Sequence, residues 1–244
     1  MKYFIITGTS RGLGEAIAKR LAAPGHRLFC ISRKRNERLL SGSGLIDYFE
    51  FDLNETDRLE ELMQLVFDRI DPADAEALYL VNNAAVVAPL SRIEEAGEAE
   101  LTANLHINLL APMLLTSLFI RYSRHFRIEK RVLNVSSVSA RNLLPGMSAY
   151  SAAKAGLDVF SKCVGIEQGE APYAVKIASV WPGMIDTGLQ EEARSADAGA
   201  FPSAGLFAMV KDRGLLATPE AVAEKIAGLL LGDRFEQGAV VEEL

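Results

Sequence analysis

The amino terminus carries the pattern that most restricts the fold. Lys2-Tyr-Phe-Ile-Ile-Thr7 is a short apolar run that passes directly into Gly8-Thr-Ser-Arg-Gly12-Leu-Gly14 and then into the helical pattern Glu15 to Ala22. Strand, glycine turn and helix in that order expose backbone N–H groups at the turn and aim the positive end of the helix at one point. An anion such as a pyrophosphate fits there, because glycine lets a ligand come close to the backbone. The spacing is Gly-x-x-x-Gly-x-Gly, which differs from the Gly-x-Gly-x-x-Gly dinucleotide fingerprint. Taken alone, these glycines also suit a tight turn without chemical work.

A second pattern narrows the choice. Tyr150-Ser-Ala-Ala-Lys154 sets a phenol and an ammonium one turn apart on a helix. A tyrosine with a reference pKa of about 10 is a poor acid or base at neutral pH, and a cation on the same face is expected to lower that pKa. The phenol can then exchange a proton with a carbonyl or alcohol oxygen. Ser137 ends the apolar run that begins at Arg131, so it falls at a strand's carboxyl end and can hydrogen-bond the same oxygen. By itself, Tyr-x-x-x-Lys is equally at home on a solvated helix face.

Together these residues resemble the short-chain dehydrogenase/reductase family, and the resemblance runs along essentially the whole chain. Thr7 to Gly14 looks like the family's cofactor turn, Asn82-Asn-Ala-Ala85 like its Asn-Asn-Ala-Gly segment with Ala85 in place of glycine, and Pro182-Gly-Met-Ile-Asp-Thr187 like its nicotinamide-side loop. His106 to Pro112, Lys130-Arg131 and the short carboxyl end look most like the sepiapterin-reductase-like branch, which includes NADPH-dependent benzil reductases. The resemblance implies hydride transfer between a nicotinamide and a ketone or diketone. Tyr150 would protonate the alkoxide, Ser137 would orient the carbonyl, and Lys154 would tune Tyr150 and hold the nicotinamide ribose. Asn108 would complete a water-linked proton relay behind Lys154; the competing role for it is to cap a kink before Pro112.

The same resemblance places cofactor contacts along five stretches, besides Tyr150 and Lys154. They are Ile6, Gly8, Ser10, Arg11, Gly12, Leu13 and Gly14; Ser32 and Arg33; Asp52 and Leu53; Asn83, Ala84 and Ala85; and Pro182, Gly183, Ile185 and Thr187. Asp52 is assigned to the adenine, with a strand-end helix cap as its alternative. Substrate contacts are expected from Ser137, Leu144, Met147, Tyr150, Met184 and Glu242, the last where sepiapterin reductases carry an acid that grips the pterin amino group.

Cofactor choice is legible at the end of the second strand. A NAD site offers a carboxylate there to accept the ribose hydroxyls, whereas this chain has Ser32-Arg33-Lys34-Arg35. Arg33 can make a bidentate contact to a 2′-phosphate, and Arg11 resembles the second basic residue of NADP-preferring family members. NADP is therefore the expected cofactor.

Short apolar runs alternate with amphipathic helices, without internal repeat. Strands are expected at 3–7, 27–32, 47–51, 77–81, 131–135, 176–180 and 239–242, and helices at 12–23, 55–70, 99–126 with a break near Asn108, 148–168 and 219–231. The fold class is α/β: a Rossmann-like, doubly wound, mostly parallel seven-stranded sheet with helices on both faces, in a single domain spanning residues 1–244. Residues 188–217 read as one long irregular insertion, a substrate lid carrying Leu189, Phe201, Leu206, Phe207, Met209 and Val210.

A chain of 244 residues with 49% hydrophobic content has ample material for one core. Its net charge of −6 provides no basic field for nucleic acid or an anionic membrane. The apolar stretch 107–120 is read as too short to span a bilayer. Two cysteines, Cys30 and Cys163, both in apolar patterns, and no leader segment suggest a reducing compartment, the cytoplasm. The three histidines have no metal-ligand spacing, so no metal is expected. The faces with Leu105, Leu109, Met113 and Leu118, and around 150–160, resemble the family's dimer surfaces, pointing to a homodimer or homotetramer, although amphipathic helices that cover the sheet would show the same pattern. Two other classes share parts of this pattern. A NAD-retaining sugar epimerase or dehydratase would carry Gly-x-x-Gly-x-x-Gly and a larger carboxyl-terminal lobe, and a non-catalytic NADP-binding regulator would have lost Tyr150 or Lys154.

Overall fold

The computed structural model describes residues 1–41 and 45–244. Seven strands form one sheet: β1 (Lys2–Thr7), β2 (His26–Ser32), β3 (Leu45–Glu50), β4 (Ala77–Asn82), β5 (Glu129–Val135), β6 (Lys176–Val180) and β7 (Ala239–Val241). Their order is β3-β2-β1-β4-β5-β6-β7, and every pairing is parallel. Each strand in the sequence reading is present, with ends moved by a residue or two.

Alternation along each strand supplies two separate cores. Phe4 and Ile6 join Leu28, Cys30, Tyr79 and Val81 on one face, beneath helices α1 (Gly12–Leu21) and, later in the chain, Pro219–Leu231. Tyr3 and Ile5 join Phe29, Ile31, Leu78 and Leu80 on the other. Because both faces are covered, the central strands are apolar at nearly every position, as buried parallel strands are.

A four-residue helix, α2 (Glu37–Leu40), lies outside the sequence reading; Asn36 caps it by accepting from the Arg38 N–H at 3.1 Å. The helix expected over 55–70 is shorter, a 3₁₀ turn at Thr56–Arg58 followed by α3 (Leu59–Phe67). The break near Asn108 is a π turn, His106–Leu110, joining α4 (Glu98–Leu105) to α5 (Ala111–Ser123). These run as one 26-residue helical segment, long and apolar enough to cross a membrane, so the expectation of insufficient length is corrected. Half of its apolar window is nevertheless buried, with Ala111, Leu115 and Phe119 fully enclosed against the sheet. Leu118, expected on a subunit surface, is likewise core, while Leu105 is exposed. Cys163 sits on the exposed side of α6 (Ser148–Gln168) rather than in the core.

Residues 188–217 are not irregular. They contain α7 (Gly188–Arg194) and α8 (Ala204–Asp212), and a parallel bridge between Ile185 and Ala217 closes the segment at its base. The chain then enters α9 (Pro219–Leu231), where Thr218 Oγ1 accepts from the Ala221 N–H and proline occupies the first turn.

Candidate active site

The carboxyl ends of β1, β2, β4, β5 and β6 open on one edge of the sheet, where ligands bind in doubly wound folds. At β1 the chain turns at Gly8, which has φ +75°, a value glycine adopts without strain. A Cβ on Gly8 would stand 2.8 Å from Ala84 Cα, and one on Gly14 would collide with the Gly8 carbonyl oxygen and Asn83 Nδ2. The end of β4 is tied to this turn. Thr7 Oγ1 accepts from the N–H groups of Asn83 (3.0 Å) and Ala84 (3.1 Å), and Asn83 Nδ2 donates to the Thr7 carbonyl at 2.9 Å.

Helix α1 begins after Arg11 with no side-chain cap, leaving its first N–H groups for a ligand. Thr187 lies opposite Gly12, and a cavity of about 520 Å³ beside them is bordered by Arg11, Arg38 and Gly188. A glycine-lined turn, an uncapped helix start and a polar cleft fit a dinucleotide pyrophosphate. Ile6 and Leu13 belong to the core beneath this turn, and the Ser10 carbonyl accepts from Asn36 Nδ2 at 3.1 Å.

The end of β2 is knotted by hydroxyl groups. Ser32 Oγ and Tyr48 Oη both donate to the Lys34 carbonyl at 3.0 Å, Ser32 and Tyr48 also meet each other, and Thr9 Oγ1 donates to Tyr48 at 3.3 Å. This knot leaves Arg33 exposed and without an ion pair among the described residues. The Arg11 guanidinium rests against Gly188, whose Cβ position is 3.0 Å from Arg11 Cζ. Asp52 Oδ1 accepts from the Asn54 N–H at 3.0 Å, an Asx turn at the strand end, and the helical turn that follows starts after Glu55 without a side-chain cap. Leu53 is buried behind it, Ala85 is partly buried, and Gly183 adopts φ +78° after Pro182.

Ser137 caps the 3₁₀ turn Val138–Ala140 by accepting from the Ser139 N–H at 3.1 Å. Tyr150 and Lys154 face it from α6. Both are nearly enclosed, at 7% and 2% exposed, so the solvated-face alternative is excluded. Lys154 Nζ donates to the Val135 carbonyl at 2.8 Å and lies 5.6 Å from the centre of the Tyr150 ring. The expected lowering of the phenol by the lysine is not what dominates. Burial pushes Tyr150 up to about 12, with the Ser137 hydroxyl acting in the opposite direction, and burial pushes Lys154 down to about 8.

Asn108 is not hydrogen-bonded to Lys154. Its amide donates to the Val86 carbonyl (2.8 Å) and Asn104 Oδ1 (3.0 Å) and accepts from the Val86 N–H (3.2 Å), so it ties the π turn to the segment after β4. Across from Tyr150, the 188–217 segment packs onto the site. Met147 and Tyr150 cluster with Val87, Ala193, Phe201, Ala204 and Phe207, with Leu144 and Leu189 at the margin. Ser203 Oγ donates to the Pro145 carbonyl at 3.1 Å, and Phe201 presses against Gly146. Met184 is half-buried at the base, its carbonyl accepting from Ala217 N–H. Glu242 forms an exposed bidentate pair with Arg141 at 2.9 and 2.5 Å, and Arg141 stacks on Trp181.

The profile of the short chain dehydrogenase family matches residues 2–198. The chain is a short-chain dehydrogenase/reductase. Among its relatives, benzil reductase ((S)-benzoin forming) of Bacillus cereus is 39% identical, covering 99% of this chain and 98% of that one. Sepiapterin reductase of Rattus norvegicus is 27% identical over 98% of this chain and 94% of its own. The crystal structure of the KRED1-Pglu enzyme superposes with a TM-score of 0.84 at 24% identity, covering 99% of this chain and 100% of that one. As a short-chain dehydrogenase/reductase, the protein is an oxidoreductase whose fold serves a nicotinamide cofactor.

Several residues of this site escaped the sequence reading. Asn36 holds the cofactor turn through its bond to the Ser10 carbonyl, and no local pattern marks it. Asn104 and Asp158 do carry a signal, since each lies four residues from a residue already singled out.

Proposed function

We propose that this protein is an NADPH-dependent carbonyl reductase in which Tyr150 donates a proton to the oxygen of a bulky ketone or diketone. The observation that carries the reading is the enclosed pair Tyr150 and Lys154, with Ser137 partly buried against them, beside the Gly8–Gly14 cradle. When bound, the cofactor supplies the hydride. Tyr150, pushed up to about 12, keeps its proton at neutral pH, and an alkoxide is basic enough to take it. Ser137 hydrogen-bonds and orients the carbonyl. Lys154 has donors left over after its bond to Val135 and can hold the nicotinamide ribose.

NADPH is favoured over NADH by Arg33, an exposed cation standing where a NAD site needs a carboxylate. The apolar cluster of Met147, Phe201 and Phe207 supports bulky, aromatic substrates over sugars and small acids. Names of the relatives point the same way, toward benzil or pterin-like ketones. Exposed Leu105, Val159 and Ile166 on α4 and α6 support assembly as a homodimer or homotetramer, which sedimentation velocity tests.

Tyr150→Phe tests the central claim. Turnover of benzil, followed by NADPH absorbance, is expected to fall about a hundredfold to ten-thousandfold while NADPH binding survives. Retention of most of kcat would remove Tyr150 from the proton transfer.

A further inference from the structure

Tyr150, Lys154 and Asp158 stand at every fourth position of α6, and the third has no part in the chemistry above. Asp158 is 7% exposed. Its Oδ2 accepts from Trp181 Nε1 at 2.9 Å, whereas its Oδ1 is buried with no partner among the described residues. A buried carboxylate served by one neutral donor is destabilising unless a positive charge lies near it. One turn back is Lys154, an ammonium with three donors, of which the Val135 carbonyl engages one.

We propose that Asp158, pinned by the Trp181 indole, is a positioning residue that keeps Lys154 charged inside a pocket whose burial favours the neutral amine. The proposal rests on the reading of Lys154 as the partner of ribose and phenol.

Burial is what pushes Lys154 down, and Asp158 is the charge that pulls it back. The other charged groups around α6 are placed differently. Arg141, at the end of the 3₁₀ turn, and Glu242, just past β7, pair with each other above Trp181. Glu129, Lys130, Arg131 and Lys176 occupy the starts of β5 and β6, at the opposite end of the sheet from the site. Glu98 and Glu100 open α4, His106 opens the π turn, Arg121 lies near the end of α5, and Lys162, one turn beyond Asp158, is exposed. Tyr150 holds its proton at neutral pH and contributes no charge.

The test is a titration of the Lys154 side chain by NMR in the cofactor-free protein, with its signal identified by its loss in Lys154→Arg. Asp158→Asn keeps an acceptor for Trp181 and removes the charge. It is expected to move the Lys154 midpoint to lower pH by about one unit, and the alkaline limb of kcat/KM with it. A purely structural role would alter melting temperature and leave both midpoints in place, and an unchanged Lys154 midpoint overturns the proposal. Should Asp158→Asn fail to fold, Asp158→Ser decides instead. It likewise removes the charge one turn from Lys154, so the midpoint again falls; no movement overturns the proposal. The titration needs no turnover, so wild type inactive on every ketone would strike the reductase reading alone.

Discussion

On the cofactor side of the cleft, main chain packs on main chain: Gly8 lies against Ala84, and Thr7 binds the N–H groups of Asn83 and Ala84. On the opposite side, Met147, Tyr150, Phe201 and Phe207 meet through side chains drawn from a loop, a helix and the 188–217 segment. The first arrangement is fixed by bond lengths and leaves no room for one added carbon. The second is fixed by volume and accepts other apolar residues if they fill the same space. A fold built this way holds its cofactor constant while its substrate is free to change.

Substitutions can separate the two halves. The largest effect is expected from Gly14→Ala, whose methyl would drive into the Gly8 carbonyl. NADPH affinity, read by fluorescence titration, should fall by about a hundredfold, or roughly 3 kcal/mol, with the apolar cluster around Phe201 intact. Undiminished binding would mean that the cradle does not hold the dinucleotide.

Lys154 sits where the halves join, and there the expected effect is on stability. In the unfolded chain a lysine keeps its proton to about pH 10.5, but folded Lys154 keeps it only to about 8. The unfolded state therefore binds more protons between those values, and stability rises with pH across that window. Lys154→Met should stabilise the cofactor-free protein by roughly 2–3 kcal/mol at pH 7, less whatever Asp158 loses without its counterion, and by nothing above about pH 10.5. Urea unfolding at both pH values checks this, and equal stability at pH 7 would show that Lys154 is not strained by burial.

Arg33→Asp acts on the cofactor side alone. The ratio of kcat/KM for NADPH to that for NADH should drop at least about tenfold, since an acid repels the phosphate and accepts ribose hydroxyls. Equal use of both cofactors by wild type would refute the assignment. Phe201→Ala is the converse and the mildest. It should raise KM for aromatic diketones severalfold through a loosened apolar cluster and leave NADPH affinity unchanged; a change in NADPH affinity instead would mean that the halves are coupled.

Legibility follows the same division. The strands could be read because a parallel strand buried on both faces is an unbroken apolar run, and Gly8 and Gly14 because no other residue fits their positions. Spacing also placed Tyr150 beside Lys154. It did not reveal that both are enclosed, and enclosure turned an expected acidic phenol into one pushed up to about 12. In 188–217, Gly199, Pro202, Gly205 and Gly214 masked helices of seven and nine residues that are stabilised by docking on Pro145–Met147. The partner of Asn108 is Val86, in another segment, which local sequence could not supply.

The π turn at His106–Leu110 fixes the length of its segment to the residue. A π turn is an α-helix that has taken in one extra residue. Removing one would restore the regular helix and rotate all of α4 by about 100° relative to α5. Asn104 would then turn away from Ala88, and the loop after β4 would lose the amides that now grip it at Val86 and Ala88. An insertion or deletion here would break that grip, so in any related chain a gap aligned to these five residues marks a cleft of different shape.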